Sequence, residues 1–140
     1  KAEDPLRVRD LEAADLIVVK VAPLGGVRSA LAIVQECGLP AVVSSALDTS
    51  VGISFGVAPA AALPSLEHAC GLGTVALLAG DVTPSPLVPD HGSLMAGRVD
   101  VGEALLDRWA APPERVTWWA DRVAACHAVL AAAPQGGGMP

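Results

Sequence analysis

The chain has few of the residues that mark nucleic-acid-binding, membrane or aromatic-rich binding proteins. Its 140 residues include no tyrosine and one phenylalanine. Nine basic residues stand against 15 acidic ones, giving a net charge of −6, and they form no basic patch. This balance argues against nucleic acid as a partner. No stretch reaches the roughly 18 uninterrupted apolar residues of a membrane-spanning helix, so we expect no membrane association.

Cysteine is also scarce. Cys37, Cys70 and Cys126 are odd in number and widely spaced, and they form neither a CxxC metal-ligand pair nor a disulfide framework. They predict buried, reduced thiols in a cytoplasmic protein. No signal peptide is recognisable. The chain starts without methionine on helical sequence, from which we expect it to begin in the middle of a gene product.

The most informative stretch runs from Leu16 to Gly26 and reads LIVVKVAPLGG. A run rich in β-branched residues predicts a strand over Leu16–Val21 that is buried on both faces. It contains a single charged residue, Lys20. Because burying an ammonium group costs free energy unless a site needs it, Lys20 is a candidate functional residue.

A second buried strand, Ala41–Ser45, follows about 21 residues later and ends on two serines. If both strands belong to one parallel sheet, Lys20 lies beside Ser44 and Ser45 along the same carboxyl-end edge. Proteins of the α/β class build their sites at this edge. The spacing therefore predicts one site from residues far apart in sequence.

Strands alternate with helices, which predicts a parallel sheet with right-handed crossovers. Apolar spacing and Gly38 predict a helix over Val27–Cys37, and a small-residue run predicts another from about Ser50 to Ala62. A third, shorter strand is expected at 68–70, with a turn of helix near 77–79. We divide the chain into three segments: βα units over 1–82, a Pro-rich linker with a helical segment over 83–133, and a disordered tail over 134–140. The last helix of the second segment is expected from about 114 to 132.

Three motifs in this order carry a family resemblance: KVAPLGGVRSAL, GLPAVVSSALDTSVG and HACGLGT. Together they resemble the C-terminal half of the o-succinylbenzoate synthase family, in the enolase superfamily, most closely in its actinobacterial form. The resemblance assigns the units to strands six, seven and eight of a (β/α) barrel. A complete barrel needs about 250 residues, so the chain is expected to form an incomplete barrel of about three βα units. The missing N-terminal part would be its partner.

The resemblance also implies an activity. Family members are carbon–oxygen lyases that dehydrate a cyclohexadiene carboxylate to o-succinylbenzoate through an enediolate, in menaquinone biosynthesis. It places the second active-site lysine at Lys20. It matches the positions that contact the carboxylate substrate to Ser44, Ser45, Leu47 and Gly71. Lys20 would act mainly by electrostatic stabilisation.

The resemblance further implies a divalent metal, Mg²⁺, held by three carboxylates at strand ends, because such cations prefer oxygen ligands. The predicted strand ends of this chain carry no such trio, so we assign it no metal ligand and expect it to be inactive alone. Asp48 stands where a family glutamate is common, and its role is left open.

Two other interpretations remain. The same motifs occur in N-acylamino acid racemases, in which both active-site lysines exchange protons. The chain could instead be a non-catalytic α/β association module. A third, a hydrolase elbow at Gly52–Gly56 (GISFG), is disfavoured because its serine, Ser54, falls inside a predicted helix.

Overall fold

A computed structural model of the protein describes residues 5–132. Contacts divide the chain into two compact units after Trp109. The helices and strands of the described residues, in chain order, are α1 (Pro5–Asp10), β1 (Ile17–Val19), α2 (Val27–Cys37), β2 (Ala41–Val43), α3 (Ser50–Ala62), α4 (Glu103–Arg108) and α5 (Pro113–Ala132). Two 3₁₀ helices lie at Ala22–Leu24 and Thr74–Leu77.

Strands β1 and β2 are parallel neighbours, with Ile17 opposite Ala41 and Val19 opposite Val43. Helix α2 makes the crossover between them, as parallel strands require. The two predicted strands are confirmed, although each is shorter than its apolar run. Their pairing sets the register of the polar residues that follow each strand. The predicted burial of the first strand on both faces is wrong within this unit, because Val18 is 60% exposed.

The bounds predicted for helices α2 and α3 are confirmed. Gly38 ends α2 in the left-handed conformation (φ 66°), and its N–H donates to Val34 O. Glycine adopts this conformation without the strain that a Cβ introduces, which is why the sequence locates this helix end. Pro59 lies inside α3, and the helix continues past it to Ala62.

The two faces of the β1–β2 sheet have different surroundings. One face packs on the helices and forms a core of buried apolar residues: Val19, Val21, Val43, Ile53, Val57, Ala60, Leu72 and Val75. The opposite face is the more exposed one: Val18 is 60% exposed there and Val42 is half-buried. Since side chains alternate along a strand, Lys20 and Ser44 lie on the side of Val18 and Val42.

The predicted third strand at 68–70 is wrong. The segment reaches the sheet only through a parallel bridge between Ser44 and Gly71. Gly71 N–H donates to Val43 O at 2.9 Å. The Val43 N–H, however, donates to the Cys70 thiol sulfur at 3.4 Å and not to a backbone carbonyl. A side chain thus occupies a position in the ladder that a longer strand would fill, and pairing stops at one bridge.

A buried carboxylate fixes the start of helix α3. Asp81, 8% exposed, accepts the Ser50 N–H at 3.1 Å, the Ser50 hydroxyl, and the Val82 N–H at 2.8 Å. The Ser50 hydroxyl in turn accepts the Leu87 N–H at 2.7 Å. Thr49, the N-cap residue, makes no side-chain cap. Asp81 therefore supplies from a distant loop the acceptor that a helix N-terminus needs.

The segment after Thr83 is largely irregular, as the Pro-rich linker predicts, and contains α4. The separate second unit contains α5, whose predicted start near 114 is confirmed within one residue. Within α5, Trp118 and Trp119 make an edge-to-face pair with ring centroids 4.7 Å apart. The predicted disordered tail over 134–140 lies outside the described residues. Across residues 5–132, the helices are too short or too polar to cross a membrane.

Candidate functional site

Lys20 lies directly after β1, next to the end of β2. Its ammonium group donates to the Ser44 hydroxyl at 3.1 Å and to the Ser45 carbonyl oxygen. An ammonium has three protons, so two acceptors leave one for a further partner. The side chain is half-buried. The structure therefore brings together Lys20 and the paired serines, as their expected place at one edge of the sheet requires.

The two serines point to opposite sides of the sheet. Ser44 is half-buried, and its hydroxyl accepts from Lys20 and donates to the Ser45 carbonyl at 3.3 Å. Ser45 is 8% exposed, and its hydroxyl donates to the Gly71 carbonyl at 3.0 Å and lies 2.7 Å from the Thr74 hydroxyl. The Ser45 side chain is thus engaged within the protein, while its carbonyl faces Lys20.

Leu47 and Gly71 complete the set of residues predicted from the sequence. Leu47 follows the serines in an exposed loop, is 57% exposed, and has a positive φ of 70°. Such backbone geometry is uncommon outside glycine and concentrates at functional sites. Gly71 lies against Ser44, where an added Cβ would be 3.2 Å from the hydroxyl oxygen. A side chain at this position would therefore displace the Ser44 hydroxyl by a few tenths of an ångström.

A cleft of about 210 Å³ opens beside Lys20. It lies between the loop after β1 and the first turns of α3, and its lining includes Lys20, Ser44, Ser45, Asp48 and Phe55. A larger groove of about 660 Å³ lies at the other end of the strands, near Pro40 and Ala41. The smaller cleft is the candidate site, because it holds the only lysine in the described residues and lies at the carboxyl ends of the strands.

The carboxylates near this edge are engaged by backbone groups. Asp48 accepts the Ala46 N–H at 2.9 Å, and Asp81 is buried at the start of α3. Within residues 5–132, no three His, Cys, Asp or Glu side chains lie close enough together to hold a metal ion. The residues that the structure describes do not fit the divalent metal that the resemblance implies.

The hydrolase motif has the wrong geometry. Ser54 lies inside α3, and its hydroxyl donates to the Val51 carbonyl at 2.6 Å. A nucleophile elbow needs its serine on a sharp turn after a strand. Ser54 is therefore a helix residue bonded to its own backbone.

Thr74 and Asp81 are the polar residues near the site that the sequence interpretation missed. Thr74 ends the HACGLGT motif, so a signal for it was present. Alternation along β2 also requires Ser45 to face away from Lys20. For Asp81 there is no local signal, because its partner Ser50 lies 31 residues away in sequence.

Sequence relatives cover most of this chain. It is 58% identical over 128 residues to an o-succinylbenzoate synthase of Thermobifida fusca, a match covering 91% of this chain and 39% of the relative. An o-succinylbenzoate synthase of Mycolicibacterium smegmatis is 55% identical over 130 residues, which is 93% of this chain and 40% of the relative. The chain thus spans about 40% of the length of these curated relatives and corresponds to their C-terminal part.

These matches confirm the predicted resemblance, although no family model matches the chain. Among solved structures, a muconate lactonizing enzyme from Pseudomonas putida aligns with a TM-score of 0.69 and 23% identity. This alignment covers 78% of this chain and 33% of that enzyme. Identity this low supports the fold alone. Together with the sequence relatives, the alignment confirms the predicted fold class, the C-terminal part of a (β/α) barrel.

Proposed function

We propose, on the premise that the chain is homologous to the C-terminal part of o-succinylbenzoate synthases, that it supplies one wall of the active site of such an enzyme. The complete enzyme would dehydrate 2-succinyl-6-hydroxy-2,4-cyclohexadiene-1-carboxylate to o-succinylbenzoate, a step of menaquinone biosynthesis. The chain would be inactive alone and active with the N-terminal part of the enzyme. We place this activity in the cytoplasm, in line with the odd number of widely spaced cysteines.

One observation of the structure carries the proposal. The Lys20 ammonium is held at the carboxyl ends of two parallel strands by two oxygen acceptors, Ser44 Oγ and the Ser45 carbonyl. A lysine on a flexible stem loses side-chain entropy when it is fixed in this way. Its charge is therefore already in place beside the cleft, and no reorganisation is needed when negative charge develops there.

The chemistry assigned to these residues is electrostatic. Removal of the proton next to the substrate carboxylate creates an enediolate, and the fixed ammonium would stabilise its charge with the proton that neither serine uses. Loss of water then makes the ring aromatic, which supplies the driving force. In this proposal Ser44, the backbone at Ser45, Leu47 and Gly71 line the part of the cleft that receives the substrate.

A divalent metal, Mg²⁺, belongs to the proposal only through the resemblance. Since residues 5–132 do not fit a metal site, its ligands would come from the N-terminal part. The same part would supply the base that removes the proton. This chain would therefore need the N-terminal part for both the metal and the base. Mixing the two parts and measuring product tests the proposal.

The test is an assay of o-succinylbenzoate formation with Mg²⁺. It compares this chain alone, the N-terminal part of the Thermobifida fusca relative alone, and the two mixed. We expect product only in the mixture, with a rate that rises to saturation as this chain is titrated in.

The mixture is also supplied with N-acylamino acids and followed for racemisation. Racemisation without dehydration would show that the assembled enzyme is an N-acylamino acid racemase and not a synthase. Product from this chain alone would contradict the assignment of base and metal to the missing part. If the two parts associate but neither reaction occurs, the chain is a non-catalytic association module.

A further inference from the structure

We propose that Thr74 is a positioning residue for Lys20, acting through Ser45 from the covered side of the sheet. The proposal deepens the proposed function, on which it rests for the role of Lys20. Its geometric content is independent of any activity. It assigns to Thr74 and to the Ser45 hydroxyl a role other than contact with substrate.

The first step is the contact between Lys20 and Ser45. The ammonium donates to the backbone carbonyl of Ser45, so its position depends on the orientation of that peptide group. The Ser45 side chain leaves the same residue on the other face of the sheet. Whatever fixes this side chain therefore limits rotation of the peptide that holds the ammonium.

The second step is the direction of the hydrogen bonds around the Ser45 hydroxyl. A serine has one hydroxyl proton, and Ser45 donates it to the Gly71 carbonyl at 3.0 Å. The Thr74 hydroxyl, 2.7 Å from Ser45 Oγ, must then be the donor in their contact. Replacing Thr74 by valine keeps the shape of the side chain and removes this donor.

The third step is that Thr74 is itself well held. It begins the 3₁₀ helix Thr74–Leu77, and its neighbour Val75 is 4% exposed and part of the core. The Ser45 N–H also donates to the Gly71 carbonyl at 2.9 Å. Thr74 thus joins Ser45 to a segment that the buried Val75 anchors in the core. This contact is a second attachment beside the single bridge at Gly71.

The test reads Lys20 directly. The sequence contains two lysines, Lys1 and Lys20, so uniform ¹⁵N-lysine labelling of the whole chain gives two side-chain ammonium signals. Proton exchange of each ammonium with water is measured in the parent chain and in Thr74→Val, Thr74→Ser and Ser45→Ala variants. A hydrogen-bonded ammonium exchanges more slowly than a solvated one.

We expect Thr74→Val and Ser45→Ala each to speed exchange at Lys20 roughly threefold, a loss on the scale of one hydrogen bond. Thr74→Ser, which keeps the donor, should restore the parent rate, and Lys1 should not respond. Thr117→Val is the matched control, since it removes a threonine hydroxyl that bonds to Pro113 in α5. Thermal unfolding of each variant separates a local change from lost stability.

Unchanged exchange at Lys20 in both Thr74→Val and Ser45→Ala would overturn the proposal. So would equal acceleration in Thr74→Ser. The exchange measurement involves no turnover, so the proposed enzymatic function can fail while the positioning role stands, and the positioning role can fail while the enzymatic function stands. In the assembled enzyme, a supporting result is a lower kcat with little change in KM for Thr74→Val.

Discussion

The two faces of the β1–β2 sheet have different roles in the protein. On the helix-covered face, Val43 and Ile53 are fully buried in the core. On the other face, Val18 is 60% exposed and Lys20 lies among polar partners at the edge. Burial of apolar area stabilises the first face. The second gains little stability from this chain and carries the candidate chemistry.

This difference separates folding from function at the level of single residues. Successive side chains have different roles: the Ser44 hydroxyl bonds to Lys20, and the Ser45 hydroxyl bonds to Gly71 within the protein. In a closed barrel the inner face is filled by side chains from other strands. We therefore expect the exposed face to depend on the N-terminal part of the enzyme, and the covered face to depend on this chain alone.

The largest expected effect follows from Lys20→Ala on the exposed face. In the assembled enzyme we expect kcat to fall by roughly 10²- to 10³-fold, the usual loss when a preorganised electrostatic donor is removed. The unfolding free energy of the chain should change little. Steady-state kinetics measure the change in kcat, and urea unfolding measures the change in unfolding free energy.

Arg98→Ala is the control for Lys20→Ala, because it removes an exposed positive charge elsewhere in the same unit. An equal loss of kcat in both variants would indicate a general charge effect. Full activity of Lys20→Ala would remove Lys20 from the mechanism.

The next effect compares two valines from opposite faces of the sheet, Val43 in β2 and Val18 in β1. Val43→Ala should destabilise the chain by roughly 2 kcal/mol, from lost burial and the cavity left behind. Val18→Ala should stay within about 0.5 kcal/mol, since Val18 is exposed. Urea unfolding of the chain alone measures both.

Binding of the N-terminal part gives a second comparison of Val18 and Val43. If other strands cover the exposed face, Val18→Ala should weaken binding to the N-terminal part while leaving the chain's own stability unchanged. Equal destabilisation by both substitutions in the isolated chain would contradict the assignment of faces.

The smallest effect is expected at Gly71. An alanine Cβ would lie 3.2 Å from Ser44 Oγ and displace that hydroxyl by a few tenths of an ångström. Because Ser44 holds Lys20, we expect kcat of the assembled enzyme to fall roughly threefold, about the effect of one weakened hydrogen bond. Gly97→Ala, where nothing lies within 4 Å of the new Cβ, should have no effect. Equal rates in the two variants would show that the contact between Gly71 and Ser44 does not matter.

The sequence predicted α2, α3, the start of α5 and the pairing of β1 with β2 well, because the signals for these elements are local. It did not predict α4, and it placed the helical turn of Thr74–Leu77 a few residues too late. Gly38 takes a left-handed conformation at the end of α2, and apolar runs mark both strands. The third strand was predicted wrongly, since its fate depends on a contact across the sheet. The Cys70 thiol accepts the N–H of Val43, and no local pattern encodes that choice.

The site was predictable in outline for a similar reason. Once the two strands are parallel, their register places Lys20 beside Ser44. Predicting this contact therefore required only the positions at which the two strands end. The carboxylate cap that Asp81 places on Ser50 joins residues 31 positions apart in sequence, and tertiary packing alone brings them together. The roles of Ser44, Ser45, Leu47 and Gly71 in substrate binding stay predictions.

The most direct test of the account is the response of Lys20 to ligand in the assembled enzyme. This chain is labelled with ¹⁵N-lysine, mixed with the unlabelled N-terminal part, and titrated with o-succinylbenzoate while the two ammonium signals are followed. We predict a saturable shift of the Lys20 signal with no change at Lys1, and its loss in Ser44→Ala would place the ligand at this edge. A Lys20 signal that stays fixed while the product binds would contradict the central claim that the exposed sheet face meets the substrate.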